Sequence, residues 1–155
     1  MFKINNIMYF HEVNNSKWGV DSYIKISDIK NLNDLLYLYK KIPNYTSGMF
    51  FLMKGDIAPI YEDKRNINGG VWTFKLSKKH CDIFWKELCI LFCQNKITKD
   101  GKNDNIINGM SISPKISNII FKLWISKNSD INILRNDINN LHIKEALYRS
   151  HIKNK

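Results

Sequence analysis

Short apolar runs separated by polar turns divide the 155-residue chain into segments that read as strands and helices in turn. Residues 7–13 are rich in β-formers and stop at the polar stretch Asn14–Lys17, so they predict a strand. Residues 19–27, bounded by turn residues, fit a second. Over 31–42, Leu32, Leu35, Leu36, Tyr39 and Ile42 recur at helical spacing. Lys40 and Lys41 fall in the last turn, where cations complement the helix dipole, and Pro43 follows as a stop. Residues 48–54 are a continuous apolar run of the buried-strand kind. In 71–76, Trp72, Phe74 and Leu76 share one face of a strand. Ser77 can cap a helix over 78–93 that turns Phe84, Leu88, Leu91 and Phe92 to the core.

Residues 94–104 read as a basic, flexible loop. Residues 107–113 and 118–126 read as paired strands. Ser129 can cap a further helix with Ile131, Leu134, Ile138 and Leu141 on one face, and 145–151 could be a last strand. Helices spread between hairpins predict an α+β fold. Its sheet is mostly antiparallel, covered by helices on one face and open on the other. There is no internal repeat, low-complexity tract or Pro-rich linker, so residues 1–155 are expected to form a single domain.

Composition narrows the function classes. Lys and Arg number 24 against 14 Asp and Glu, a net charge of +10 that favours a polyanion such as nucleic acid, or else a well-solvated lysine surface. No apolar run reaches membrane-span length, and the N-terminus lacks a signal peptide's apolar region, so a soluble, cytoplasmic protein is expected. Cys81, Cys89 and Cys93 have neither a disulfide nor a zinc spacing and read as buried helix thiols. With no P-loop, HExxH or carboxylate cluster, neither a metal nor catalysis is expected.

Against this basic background, Lys54–Trp72 (KGDIAPIYEDKRNINGGVW) carries an aromatic residue, adjacent carboxylates and a Gly-Gly pair. Alone, Tyr61-Glu62-Asp63 reads as an acidic turn, and Trp18 and Trp124 as core or incidental aromatics. The stretch, however, resembles the translation initiation factor 4E family, the messenger RNA cap-binding proteins. It follows that family's pattern of Lys-Asp/Gly-x-Ile-x-Pro, aromatic-Glu-Asp, Asn and Gly-Gly-x-Trp. Further blocks agree in order: Trp18 after the first strand, DLLYLYKKI at 34–42, CDIFWKELC at 81–89, NGMSISPKISNIIFKLW ending at Trp124, and LYRSH at 147–151.

The resemblance implies a curved sheet with helices on its convex face and a concave face that binds the 7-methylguanosine cap, with no cofactor. By the same resemblance Trp18 and Tyr61 sandwich the base, Glu62 reads its edge and Trp124 packs near the N7-methyl group. Lys115 is implied at the phosphates, and Lys122 shares Trp124's strand face and could assist. Trp72 and Trp85 are expected in the core. Capped mRNA is the implied ligand of a monomer. A scaffold-type initiation factor, or a divergent partner, is implied on the helical face at Leu32, Leu36 and Ile90. The alternative is a translational repressor or decoy. The chain departs from the family at Tyr61 and Leu36, where tryptophans are usual, at Lys115, where arginine is usual, and at Lys86 and Cys93, which replace apolar residues. Its length and composition suit a viral or parasite-encoded member.

Overall fold

The computed structural model describes residues 3–42, 44–45 and 47–152; the expected helix stop at Pro43 lies outside them. Seven strands form one curved antiparallel sheet: β1 (Asn6–His11), β2 (Ile24–Ile29), β3 (Met49–Lys54), β4 (Gly70–Leu76), β5 (Ile107–Pro114), β6 (Ile119–Ile125) and β7 (Leu147–Ser150). Their spatial order is β2-β1-β3-β5-β6-β4-β7. Two helices, α1 (Leu32–Lys41) and α2 (Cys81–Cys93), pack against each other. The α+β fold expected from the sequence is the fold observed.

Alternation along the strands divides two cores. Phe50 and Leu52 of β3, Trp72 and Phe74 of β4, and Phe121 and Leu123 of β6 join the helices in the main one, with Trp85 at its centre. Both Trp72 and Trp85 are buried, as expected. The residues between them, Phe51, Met53, Val71 and Trp124, form a smaller cluster on the opposite face. The register sets Trp124 opposite Val71 and Gly109, and Lys122 opposite Thr73 and Ser111. A side chain at Gly109 would collide with the neighbouring strand, because a Cβ would fall 2.8 Å from the Leu52 carbonyl oxygen.

Local chemistry fixes the helix starts. The Asn31 side chain accepts from Asp34 N–H at 2.9 Å, and the Asp34 carboxylate accepts from Lys30 N–H at 2.9 Å, closing a reciprocal cap on α1. Ser77 caps a short 3₁₀ turn, Lys78–His80, that leads into α2. The three cysteines are buried free thiols, and burial pushes Cys81 up to about 12 and Cys93 up to about 11.

Three expectations are corrected. The second strand begins at Ile24 rather than 19, because Val20–Ser22 forms a 3₁₀ turn in which Ser22 Oγ donates to the Gly19 carbonyl at 2.6 Å. The helix expected after Ser129 does not form. Only a 3₁₀ turn, Ile131–Ile133, appears, and Asp130 rather than Ser129 caps it. Asn132, Asn136, Asn139 and Asn140 are poor helix residues that compete for backbone groups, and Asn140 adopts φ 67°. The backbone pairs instead with the preceding loop, through Lys99 N–H to Ile133 O at 2.9 Å and Arg135 N–H to Ile97 O at 3.0 Å. Leu134, Ile138 and Leu141 are still buried.

That preceding loop, 94–104, was expected to be flexible, but it is tied by a buried carboxylate. Asp104 accepts from Ile97 N–H and Thr98 N–H, each at 2.9 Å, and from Thr98 Oγ. Asp104→Ala leaves these donors without an acceptor, at about 1–3 kcal/mol for a buried group. Urea unfolding is expected to show a loss of roughly 3 kcal/mol, with Asp104→Asn losing less. A midpoint unchanged in both variants would show that the carboxylate does not hold the loop.

Candidate functional site

The face of the sheet opposite the helices carries two adjoining hollows of about 320 and 300 Å³. Trp18, Tyr23 and Trp124 line both. The first is completed by Tyr61 and Glu62, the second by Phe51, Ser111, Lys115 and Lys122. All six residues expected on the concave face therefore meet at one recess. Trp18 and Tyr61 are 49% and 45% exposed, so each can offer a ring face to a ligand, whereas Trp124 is 8% exposed and offers only part of its ring.

Each group is held from behind. The Trp18 ring lies flat on His11, with centroids 4.1 Å apart and an interplanar angle of 0°. Trp124 Nε1–H donates to Ser111 Oγ at 3.2 Å, and its ring meets Phe51 edge-on. The His151 ring lies 6.0 and 5.4 Å from the ring centroids of Tyr61 and Trp124, and its backbone N–H donates to Gly69 O at 2.9 Å.

The loop that presents Tyr61 and Glu62 is built on Asp63, Arg65 and Asn66. Asp63 accepts from Ala58 N–H, Arg65 N–H and the Arg65 guanidinium, which also pairs with Asp56. Asn66 donates to the carbonyls of Ala58 and Ile60 at 3.1 and 2.9 Å, and accepts from Asn108 of β5 at 2.9 Å. Asp63 is therefore spent inside the loop, while Glu62 is exposed and has no hydrogen-bond or ion-pair partner among the described residues. Its charge is felt at Tyr23, whose hydroxyl is pushed up to about 12 by burial and by Glu62.

The second hollow is cationic. Lys122 is half-buried, and burial lowers its pKa, with the charges of Lys115 and Arg149 pushing the same way. Arg149 pairs with Val71 and so faces this side of the sheet. None of the three has an ion-pair partner among the described residues. Burial and Lys122 also lower the pKa of His151.

Sequence reasoning missed Tyr23 in the lining of this recess, and His11, Arg149 and His151 around it. Arg149 and His151 carried a signal: they alternate on one strand and flank Ser150. Tyr23 and His11 carried none, since the irregular 12–23 segment hides their strand parity.

Leu32, Leu36 and Ile90 lie on the opposite, helical side. Leu32 and Ile90 are partly buried against the main core, while Leu36 is 40% exposed, and Tyr37 of α1 and Ile83 of α2 are exposed as well. Lys86 lays its ammonium over the Tyr39 ring at 5.8 Å. Cys93 is buried and accepts from Asn6, so it is no surface position. A larger cavity of about 500 Å³ adjoins Lys54, Phe92 and Lys102. Burial pushes the Lys54 amine down to about 8, and it donates to the Asp104 carbonyl, a structural tie. That cavity has no exposed aromatic pair beside a free carboxylate.

The family model described as Eukaryotic initiation factor 4E matches residues 4–154. The chain belongs to that family. It is 27% identical over 117 residues to a eukaryotic translation initiation factor 4E homolog of Acanthamoeba polyphaga mimivirus, covering 65% of this chain and 43% of that protein. It is 30% identical over 88 residues to the Saccharomyces cerevisiae factor, covering 56% and 40%. The matches thus span less than half the length of these curated relatives. Among solved structures it superposes on an Ascaris suum eIF4E-3 complex with m7G cap at a TM-score of 0.72 and 20% identity, covering 84% of this chain and 75% of that one. A Caenorhabditis elegans eIF4E-3 complex with the 4E-binding protein Mextli and cap analog gives 0.70 and 20%, covering 89% and 80%. Both likenesses concern the fold. Among the described residues no helix is long and apolar enough to cross a membrane, and no three His, Cys, Asp or Glu side chains come together as a metal site.

The loop anchor has a pH signature. Burial raises the Asp63 pKa, but hydrogen bonds from the Arg65 guanidinium and from Arg65 and Ala58 N–H outweigh it and hold the carboxyl at about 2. A depressed carboxylate contributes stability above its unfolded value near 3.9 and loses it as pH falls toward 2. NMR signals of 58–66 are therefore expected to hold from pH 7 to about 4 and to shift below that. Arg65→Ala should move the release to higher pH and cost about 1 kcal/mol, since Arg65 is partly solvated. An unchanged acid profile would contradict the anchor.

Proposed function

We propose that the recess binds the 7-methylguanosine cap of messenger RNA, and that the chain recruits capped mRNA for translation initiation. The observation that carries this reading is that one recess joins two half-exposed aromatics, Trp18 and Tyr61, with an unpaired carboxylate, Glu62.

The ligand's chemistry matches each part. Methylation at N7 makes guanine a flat cation, which aromatic faces attract through their quadrupole. Trp18 and Tyr61 supply those faces, with Tyr61 offering less area than tryptophan would. Guanine N1–H and N2–H₂ both donate, and Glu62 accepts both; adenine has no equivalent pair. Trp124, which lines both hollows, packs near the methyl group. Lys115, Lys122 and Arg149 then take the phosphates, with Lys115 and Lys122 giving point charges rather than the planar fork of arginine. The Ascaris suum relative crystallised with m7G cap supports this reading.

A general single-strand binder fits less well, because Glu62 would repel phosphate without a cationic base beside it. The residues fit a binding module that leaves its ligand unchanged, working in the cytoplasm as one cap-binding domain. On the helical face, Leu32, Leu36 and Ile90 with the exposed Tyr37 and Ile83 offer an apolar surface for a helix laid into a groove. Capture of a scaffold-type factor there separates an initiation role from that of a repressor or decoy.

Fluorescence titration tests the reading. Cap analogue m7GTP is expected to quench tryptophan emission and to bind at least about tenfold more tightly than GTP, the stacking term being about 1–3 kcal/mol. Glu62→Ala should lose base selectivity by a similar factor. Lys122→Ala and Arg149→Ala should keep selectivity but flatten the salt dependence. Equal binding of m7GTP and GTP by the unaltered chain would overturn the proposal.

A further inference from the structure

We infer that His11 is the positioning residue of the cap recess, a fully buried imidazole that sets both the ring plane and the backbone of Trp18. The inference rests on the cap-binding reading and adds to it a residue that is neither exposed nor in the recess lining.

Trp18 stands on an irregular segment between β1 and β2, where no strand ladder fixes it. Yet a stacking platform must be held in one orientation before the ligand arrives, or binding loses the cost of ordering it. His11 supplies that order in three ways. Its ring is parallel to the indole at 4.1 Å, covering the inner face and leaving the outer one for a ligand. One ring nitrogen lies 2.8 Å from the carbonyl oxygen of Glu12, where the segment leaves β1. The other lies 2.8 Å from the carbonyl oxygen of Lys17, the peptide group that joins Trp18 to the chain. One imidazole therefore ties both ends of the 12–17 loop and supports the side chain that follows it. His11 is itself held by its place as the last residue of β1, opposite Met49, and by Tyr23, whose ring lies at 4.8 Å.

Both partners are carbonyl oxygens, which only accept, so a ring nitrogen that carries a proton donates to the carbonyl it faces.

The test uses the full chain with His11→Ala and His11→Phe, read by m7GTP and GTP titration at several salt concentrations. Phenylalanine keeps a stacking ring of similar volume, so His11→Phe remains informative if the alanine variant is unstable. Both variants are expected to lose roughly tenfold in m7GTP-over-GTP selectivity while the salt slope stays that of the unaltered chain, because the lysines and Arg149 are untouched. Unchanged selectivity in both variants overturns the inference. So does a parallel loss of selectivity and salt slope, which marks a general loss of structure. If the unaltered chain itself fails to distinguish m7GTP from GTP, the cap reading falls first and this inference with it.

Discussion

The recess depends on the burial of one face of the sheet against α1 and α2. Strand side chains alternate, so fixing Phe121 and Leu123 in the main core forces Lys122 and Trp124 to the other side. Fixing Phe50 and Leu52 turns Phe51 outward beneath the recess in the same way. A one-residue slip in β6 would put Trp124 among the helices and expose Phe121. The packing that stabilises the fold and the geometry of the recess are thus a single condition. Loop chemistry then adds the parts that alternation cannot supply, Trp18 from one connection and Tyr61-Glu62 from another.

The electrostatics show how a basic protein uses an acidic turn. Asp56 and Asp63 both pair with Arg65, and Asp104 is committed to the 94–104 loop. Glu62 is left unpaired beside aromatic faces, while Lys115 and Lys122 line the adjoining hollow and Arg149 faces the same side of the sheet. This is the complement of a ligand with a positive base and a negative tail.

Much of this was legible in the chain. Apolar runs marked the strands, Ser77 marked the turn that leads into α2, and the Lys54–Trp72 stretch marked the carboxylate beside its aromatic. What was hidden depended on partners distant in sequence. The apolar spacing from Ile131 to Leu141 looked helical, but the intervening asparagines and the pairing with 97–99 gave those side chains another route into the core. The charge of 94–104 suggested mobility because the acceptor role of Asp104 leaves no trace in composition. His11 looked like an ordinary strand residue because its two acceptors are carbonyls, which have no sequence signature.

The most direct measurement of the central claim is a crystal structure of the chain grown with m7GTP. The account predicts the methylated base between the Trp18 and Tyr61 rings, its N1–H and N2–H₂ on Glu62, and its phosphates among Lys115, Lys122 and Arg149. A nucleotide held by its phosphates alone with the base outside the recess, or a base seated elsewhere on the protein, would contradict it.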